Sequence, residues 1–152
     1  MSPELSLFGA RTSLSTTLSR RFTAGVLGGL AGGMAFGTLM AMMGMLVAVA
    51  SIFGSHSPFV GFAMHLMISV LFGLGLTVPF GSRFLTEYRS GVLVGSVYGV
   101  IWWVLGPFVT TTLMLGMPVL NLDMTSVFSL MGHLFYGAIM GLVAVRVLTA
   151  RA

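Results

Sequence analysis

The chain of 152 residues contains no cysteine. Disulfides, thiolate metal centres and cysteine nucleophiles are therefore excluded. Lysine is absent too, and the acidic residues are three: Glu4, Glu87 and Asp123. Charged residues make up 7% of the chain, against 57% hydrophobic ones and a mean hydropathy of +1.05. A soluble domain carries about 25% charged residues, so a water-facing surface cannot be assembled from this inventory. Paired carboxylates, phosphate-cradling loops and nucleophile motifs are missing as well, and the chain reads as non-enzymatic.

What is present is apolar length. Four segments, 22–52, 58–78, 90–115 and 125–147, can each cross a hydrocarbon core of about 30 Å, which takes about 20 helical residues. Their glycine, leucine and methionine content, without alternation, predicts helices rather than barrel strands. The expected fold is an all-α integral membrane protein, one domain over residues 1–152, with four transmembrane helices. Ser57-Pro58 predicts the start of the second helix and Pro79 its end. Thr125 and Ser126 offer a cap for the fourth, and Pro107 predicts a kink inside the third. VAVAS at 47–51 and the Arg20-Arg21 pair look faintly like signal-sequence features. A cleaved signal, however, has an apolar core of about 7–15 residues, roughly half the stretch found here, so the first span is expected to be retained.

The arginines set the orientation. Arg11, Arg20 and Arg21 precede the first span, Arg83 and Arg89 separate the second and third, and Arg146 and Arg151 flank the end of the fourth. The loops SIFGSHSPF and GMPVLNLDM carry none. Basic residues mark the cytoplasmic side, so both termini are expected there, with residues 1–21 as a cytoplasmic N-terminal segment. The net charge of +4 is then a topology signal. Its arginines form no dense run, and no nucleic-acid partner is expected. The expected partner is the lipid bilayer, with a second copy or a larger membrane complex as alternatives.

The sequence repeats itself. GVLGGLAGG (25–33) aligns without gaps on GVLVGSVYG (91–99), and MHLMISVLFG (64–73) on GHLFYGAIMG (132–141). The unit is a helical hairpin used twice, repeat one over 22–80 and repeat two over 90–149. Two crossings return the chain to its starting side, so the copies share an orientation, related by a pseudo-twofold axis along the membrane normal. Gly25, Gly29, Gly33 and Gly37 recur every fourth residue, as do Gly91, Gly95 and Gly99; Gly73, Gly137 and Gly141 mark the partner helices. Such glycine-zipper ridges let backbones approach closely, within the bundle or between copies.

His65 heads a stripe with Ser69, Gly73 and Thr77, and His133 heads one with Gly137 and Gly141. A histidine inside a span is costly to expose to lipid and is a functional candidate by default. Four readings stay open. The rings hold helices together through polar bonds, with Thr110, Thr111 and Thr112 as partners. They sense protons or line a small channel or transporter formed by an oligomer, since histidine changes charge between about pH 5 and 8; no carboxylate relay accompanies them. They ligate a haem b from two sides, although the outer side offers no arginine for propionates. Or they bind a soft metal with Met40, Met42, Met43 and Met45, residues that also serve as core filler. No cofactor is the expectation, with haem b as the alternative. Trp102 and Trp103 read as bulk opposite the glycine ridges, and His56 as a solvated loop residue.

His65 in its apolar helix, a short basic turn, a third helix with a central proline, Pro118 in the outer loop and then Gly132-His133-Leu134 resemble the YagU-like family of small bacterial inner-membrane proteins. The resemblance covers residues 60–149 and rests mainly on the two histidine contexts. It implies a bacterial inner-membrane location and, through the family's association with acid resistance, fits proton sensing. Relatives of that kind carry charged residues in the first helix and a longer first outer loop; this chain has neither.

The lack of native cysteine makes the orientation directly testable. A single cysteine at Ser55 should react with an impermeant maleimide in spheroplasts, and one at Thr86 only after lysis; the reverse pattern would invert the topology.

Overall fold

The computed structural model describes residues 3–107 and 124–150, with side chains described at 17–81, 83–106 and 124–150. Every element among them is helical: α1 (Pro3–Met42), α2 (Leu46–Ile52), α3 (Pro58–Phe84), α4 (Tyr88–Pro107) and α5 (Met124–Thr149). Four stretches are long and apolar enough to cross a membrane, Thr17–Met42, Pro58–Gly81, Tyr88–Gly106 and Met124–Thr149. Large apolar side chains cover their outer faces: Phe59 is 85% exposed, Leu93 67% and Leu71 57%. In water that would be an untenable patch; against lipid it is the solvated face. The chain is an all-α, multi-pass membrane protein of four transmembrane helices.

Several boundaries differ from the sequence expectation, each for a local reason. The first span does not run unbroken to residue 52. Gly44 adopts φ 70°, and the amides of Met43, Gly44 and Met45 fold back onto the carbonyls of Leu39, Ala41 and Met40 at 3.1, 3.2 and 2.9 Å. This is a glycine-dependent helix end, after which α2 runs back against α3, its Leu46 carbonyl pressed on Gly61. At the other end α1 begins at Pro3, so residues 3–21 continue the first helix. Pro79 does not close α3 but lies inside it. Its missing N–H removes one ladder bond near the end, and the helix beyond is held by the Arg21 guanidinium on the Val78 carbonyl (3.0 Å) and by the Leu85 amide on Gly81 (3.2 Å). Ser57 takes the N-cap position before Pro58, yet its hydroxyl makes no capping bond. Thr125 and Ser126 fall inside α5, which starts at Met124. Any kink at Pro107, and Thr110–Thr112, lie outside the described residues.

The α3–α4 turn is closed by Ser90, whose hydroxyl accepts from the Glu87 amide (3.1 Å) and donates to the Glu87 carbonyl (2.8 Å). At the same end of the bundle Arg20 donates to the Ala150 carbonyl at 2.6 Å. Arg20, Arg21, Arg83, Arg89 and Arg146 therefore gather at one end, where Arg20 and Arg21 tie α1 to the ends of α5 and α3.

Glycine governs how the helices meet. On α1, a Cβ at Gly25 or Gly29 would lie 2.9 Å from the Leu74 Cα or 2.8 Å from the Val70 Cα of α3. On α4, a Cβ at Gly91 would lie 2.7 Å from the Gly141 carbonyl of α5, and Gly95 and Gly99 press on the carbonyls of Gly137 and His133 in the same way. Gly73 meets the Gly25 carbonyl just as Gly141 meets that of Gly91. The paired contacts fall at the positions the sequence alignment equates.

The two hairpins are not related by a complete twofold. Such an axis would pack α1 on α5 and α4 on α3 alike, but α1 lies close along α5 while the α3 and α4 backbones stand apart and meet through long side chains such as Trp102 and Tyr98. The reason is a second glycine ridge present on α1 alone. Gly28 and Gly32 admit the Met140 and Tyr136 backbone of α5, where a Cβ would come within 2.8 and 2.6 Å of their carbonyl oxygens. The aligned residues of α4 are Val94 and Tyr98, whose bulk holds α3 away. A seam results, lined below by Leu76, Phe80, Val94 and Tyr98.

Replacing Gly91 by alanine should separate α4 from α5 and cost about 1–3 kcal/mol, the usual range for overpacking. Gly106→Ala, whose Cβ meets nothing within 4 Å, should stay within about 0.5 kcal/mol of the parent. Reversible unfolding in mixed detergent and SDS micelles would measure both.

Candidate functional site

Both intramembrane histidines face one cavity near the end of the bundle opposite the arginines. It is lined by Phe36 and Met40 from α1, Met45 and residues of α2, His65, Ser69 and Phe72 from α3, Trp102 from α4, and Ser129, His133 and Tyr136 from α5. His65 reaches across to α1, its Nε2 lying 3.2 Å from the Gly33 carbonyl. His133 turns back along its own helix, with Nδ1 2.8 Å from the Ser129 carbonyl. A carbonyl cannot donate, so each of these nitrogens carries the proton. The second nitrogen of each neutral ring, Nδ1 of His65 and Nε2 of His133, is then an unprotonated lone pair. Neither accepts a hydrogen bond among the described residues, and neither is among the sealed polar atoms.

Phe36 joins the pair. Its ring, 6% exposed, meets His65 edge-on at 5.4 Å between centroids and His133 at 4.8 Å. It fits there because Gly132, next to His133, has no side chain; a Cβ at 132 would strike the phenyl ring. A porphyrin held between the two imidazoles would have to displace this ring, so the surroundings do not favour haem ligation. Among the methionines singled out from sequence, Met40 and Met45 line the cavity while Met42 is 81% exposed and Met43 38%. Among the described residues no group of three or more histidine and carboxylate side chains gathers. His56 is exposed in the α2–α3 loop.

Beneath the histidines the tyrosine and threonine hydroxyls are committed, while the buried Trp102 indole N–H meets no acceptor among the described residues. The Tyr136 hydroxyl crosses from α5 to the Ser69 carbonyl of α3 at 2.8 Å, and Tyr98 crosses from α4 to the Phe72 carbonyl at 3.0 Å. Thr77 bonds its own helix at Gly73 (3.0 Å). The Trp102 ring stacks on Phe72 at 3.8 Å and 14° across the α3–α4 seam. This stack floors the cavity on that side.

Sequence reasoning placed His65 and His133 at matching positions but missed Phe36 and Tyr136, which connect them to the bundle. Phe36 aligns with Trp102 between the repeats, so a bulky aromatic at this level in both copies was an available signal. Tyr136 aligns with Ile68 and carried none. No protein-family model, curated protein or solved structure matches the chain.

Tyr136→Phe removes one interhelical hydrogen bond, worth about 0.6 kcal/mol on average within membranes and rarely above 1.7. The Ser69 carbonyl keeps its place in the α3 ladder, so the variant should fold and lose about that amount in the same unfolding assay. A loss of several kcal/mol would mean that the hydroxyl does more than join α5 to α3.

Proposed function

We propose that this chain is a non-enzymatic accessory protein of the bacterial inner membrane in which His65 and His133 form one proton-responsive element. Two helical-hairpin repeats with both termini in the cytoplasm provide its frame. The equivalent glycine contacts in the two hairpins and the gathering of arginines at one end support that frame. The single observation that carries the functional reading is the phenyl ring of Phe36, in contact with both imidazoles. A charge on either ring acts on the same junction of α1, α3 and α5.

With both rings neutral, each donates to a backbone carbonyl. Protonation adds an N–H to a nitrogen that has no acceptor among the described residues, and it places a charge among apolar side chains. The helices must then admit water or shift. Among the described residues facing the pair none carries a negative charge: α1 and α2 present apolar side chains and backbone, α3 and α5 add the Ser69 and Ser129 hydroxyls, and the Tyr136 hydroxyl is committed to a carbonyl. The arginines lie at the other end. The output is a change of packing with pH, available to a membrane partner, and it accords with the resemblance to the YagU-like proteins.

Stability measured in nanodiscs should fall as pH drops from about 8 to 5, the range over which histidine gains charge. The drop should shrink in His65→Gln and His133→Gln, and His56→Gln should leave it unchanged. An identical pH slope in the parent and both intramembrane variants would sink the reading.

A further inference from the structure

The cavity has the chemistry of a binding site as well as of a switch. Its two unused histidine nitrogens are acceptors, beside the Ser69 and Ser129 hydroxyls, which can give or take a hydrogen bond, so an occupant bearing hydrogen-bond donors is the better match. Among the described residues no charged side chain lines it, which favours a neutral occupant. Its walls include flat aromatic surfaces, the Phe72–Trp102 stack on one side and the Phe36 ring on another, which favour a planar ring. A single ion bridging both imidazoles would have to displace Phe36, which touches each of them.

We infer that this cavity binds the dihydroxylated aromatic head of a quinol-class lipid, its hydroxyls donating to His65 Nδ1 and His133 Nε2. The oxidised quinone carries carbonyls in place of hydroxyls and has no O–H to give. The neutral pair therefore selects the reduced form, and protonation reverses the preference, because each imidazolium then donates from both nitrogens. The inference rests on the neutral form of the pair that the proton-responsive reading also uses. The two fail separately: pH-dependent stability without ligand binding removes this inference alone, and quinol binding with pH-independent stability removes the other.

The test uses the full chain in nanodiscs with Trp103→Phe, so that Trp102 fluorescence reports the cavity. It is titrated with a decyl-tailed ubiquinol kept reduced, with the corresponding quinone, and with Cu(I) under anaerobic conditions. The expected result is saturable quenching by the quinol at pH 8 with an affinity at least tenfold above that of the quinone, and a preference that inverts near pH 5. His133→Phe should weaken quinol binding about tenfold. Should that variant fold poorly, Gly106→Leu fills the cavity from a position where an added Cβ meets open space, and it should abolish saturation. Equal affinity for both redox forms, binding unaffected by Gly106→Leu, or saturable binding of Cu(I) without quinol binding would each overturn the inference.

Discussion

The structure depends on backbone meeting backbone. Lipid tails are as apolar as the side chains they solvate, so no hydrophobic gain drives these helices together. What remains is close packing, and glycine makes it closest. The Gly25–Gly73 and Gly91–Gly141 approaches set the spacing within each hairpin, and that spacing decides which side chains face each other further along. His65 reaches the Gly33 carbonyl because α1 and α3 are this near. With a larger residue at 29 or 33 the imidazole would lose its acceptor.

Unequal glycine content then makes the two helix pairs differ. With ridges on two faces, α1 becomes the shared wall between both hairpins, while Val94, Tyr98 and Trp102 give α4 one close neighbour and one open seam. The cavity is a product of that divergence. Had α4 kept small residues at 94 and 98, α3 would close on it and the histidines would be sealed in a dry core. Phe72 and Trp102 bridge the seam by stacking, and the Tyr98 hydroxyl fastens them from below.

Polar groups in the spans are few, and several of those described are committed to backbone carbonyls. Tyr136, Tyr98 and Thr77 end there, as does one nitrogen of each histidine. Such bonds satisfy buried donors without adding charge. They also fix the histidine tautomers, and so determine what the site has left to offer: two lone pairs against aromatic walls. The chemistry proposed for the cavity follows from this residue of unspent acceptors.

Much of the fold was legible in the sequence, because lipid imposes length and polarity on every span. Four apolar stretches, the arginine distribution, the duplicated glycine spacing and the histidines at matching positions could all be read from residue order alone. Helix ends were less legible. Gly44 ends α1 through a left-handed turn, and Pro79 is absorbed in α3, outcomes that hang on which donors and acceptors lie nearby. The second ridge of Gly28 and Gly32 was visible in the letters, but its meaning required knowing which helix faces it. The tautomers, the placement of Phe36 against both imidazoles and the open α3–α4 seam were decided by tertiary structure alone. Periodicity says which residues share a face, and only packing says what that face meets.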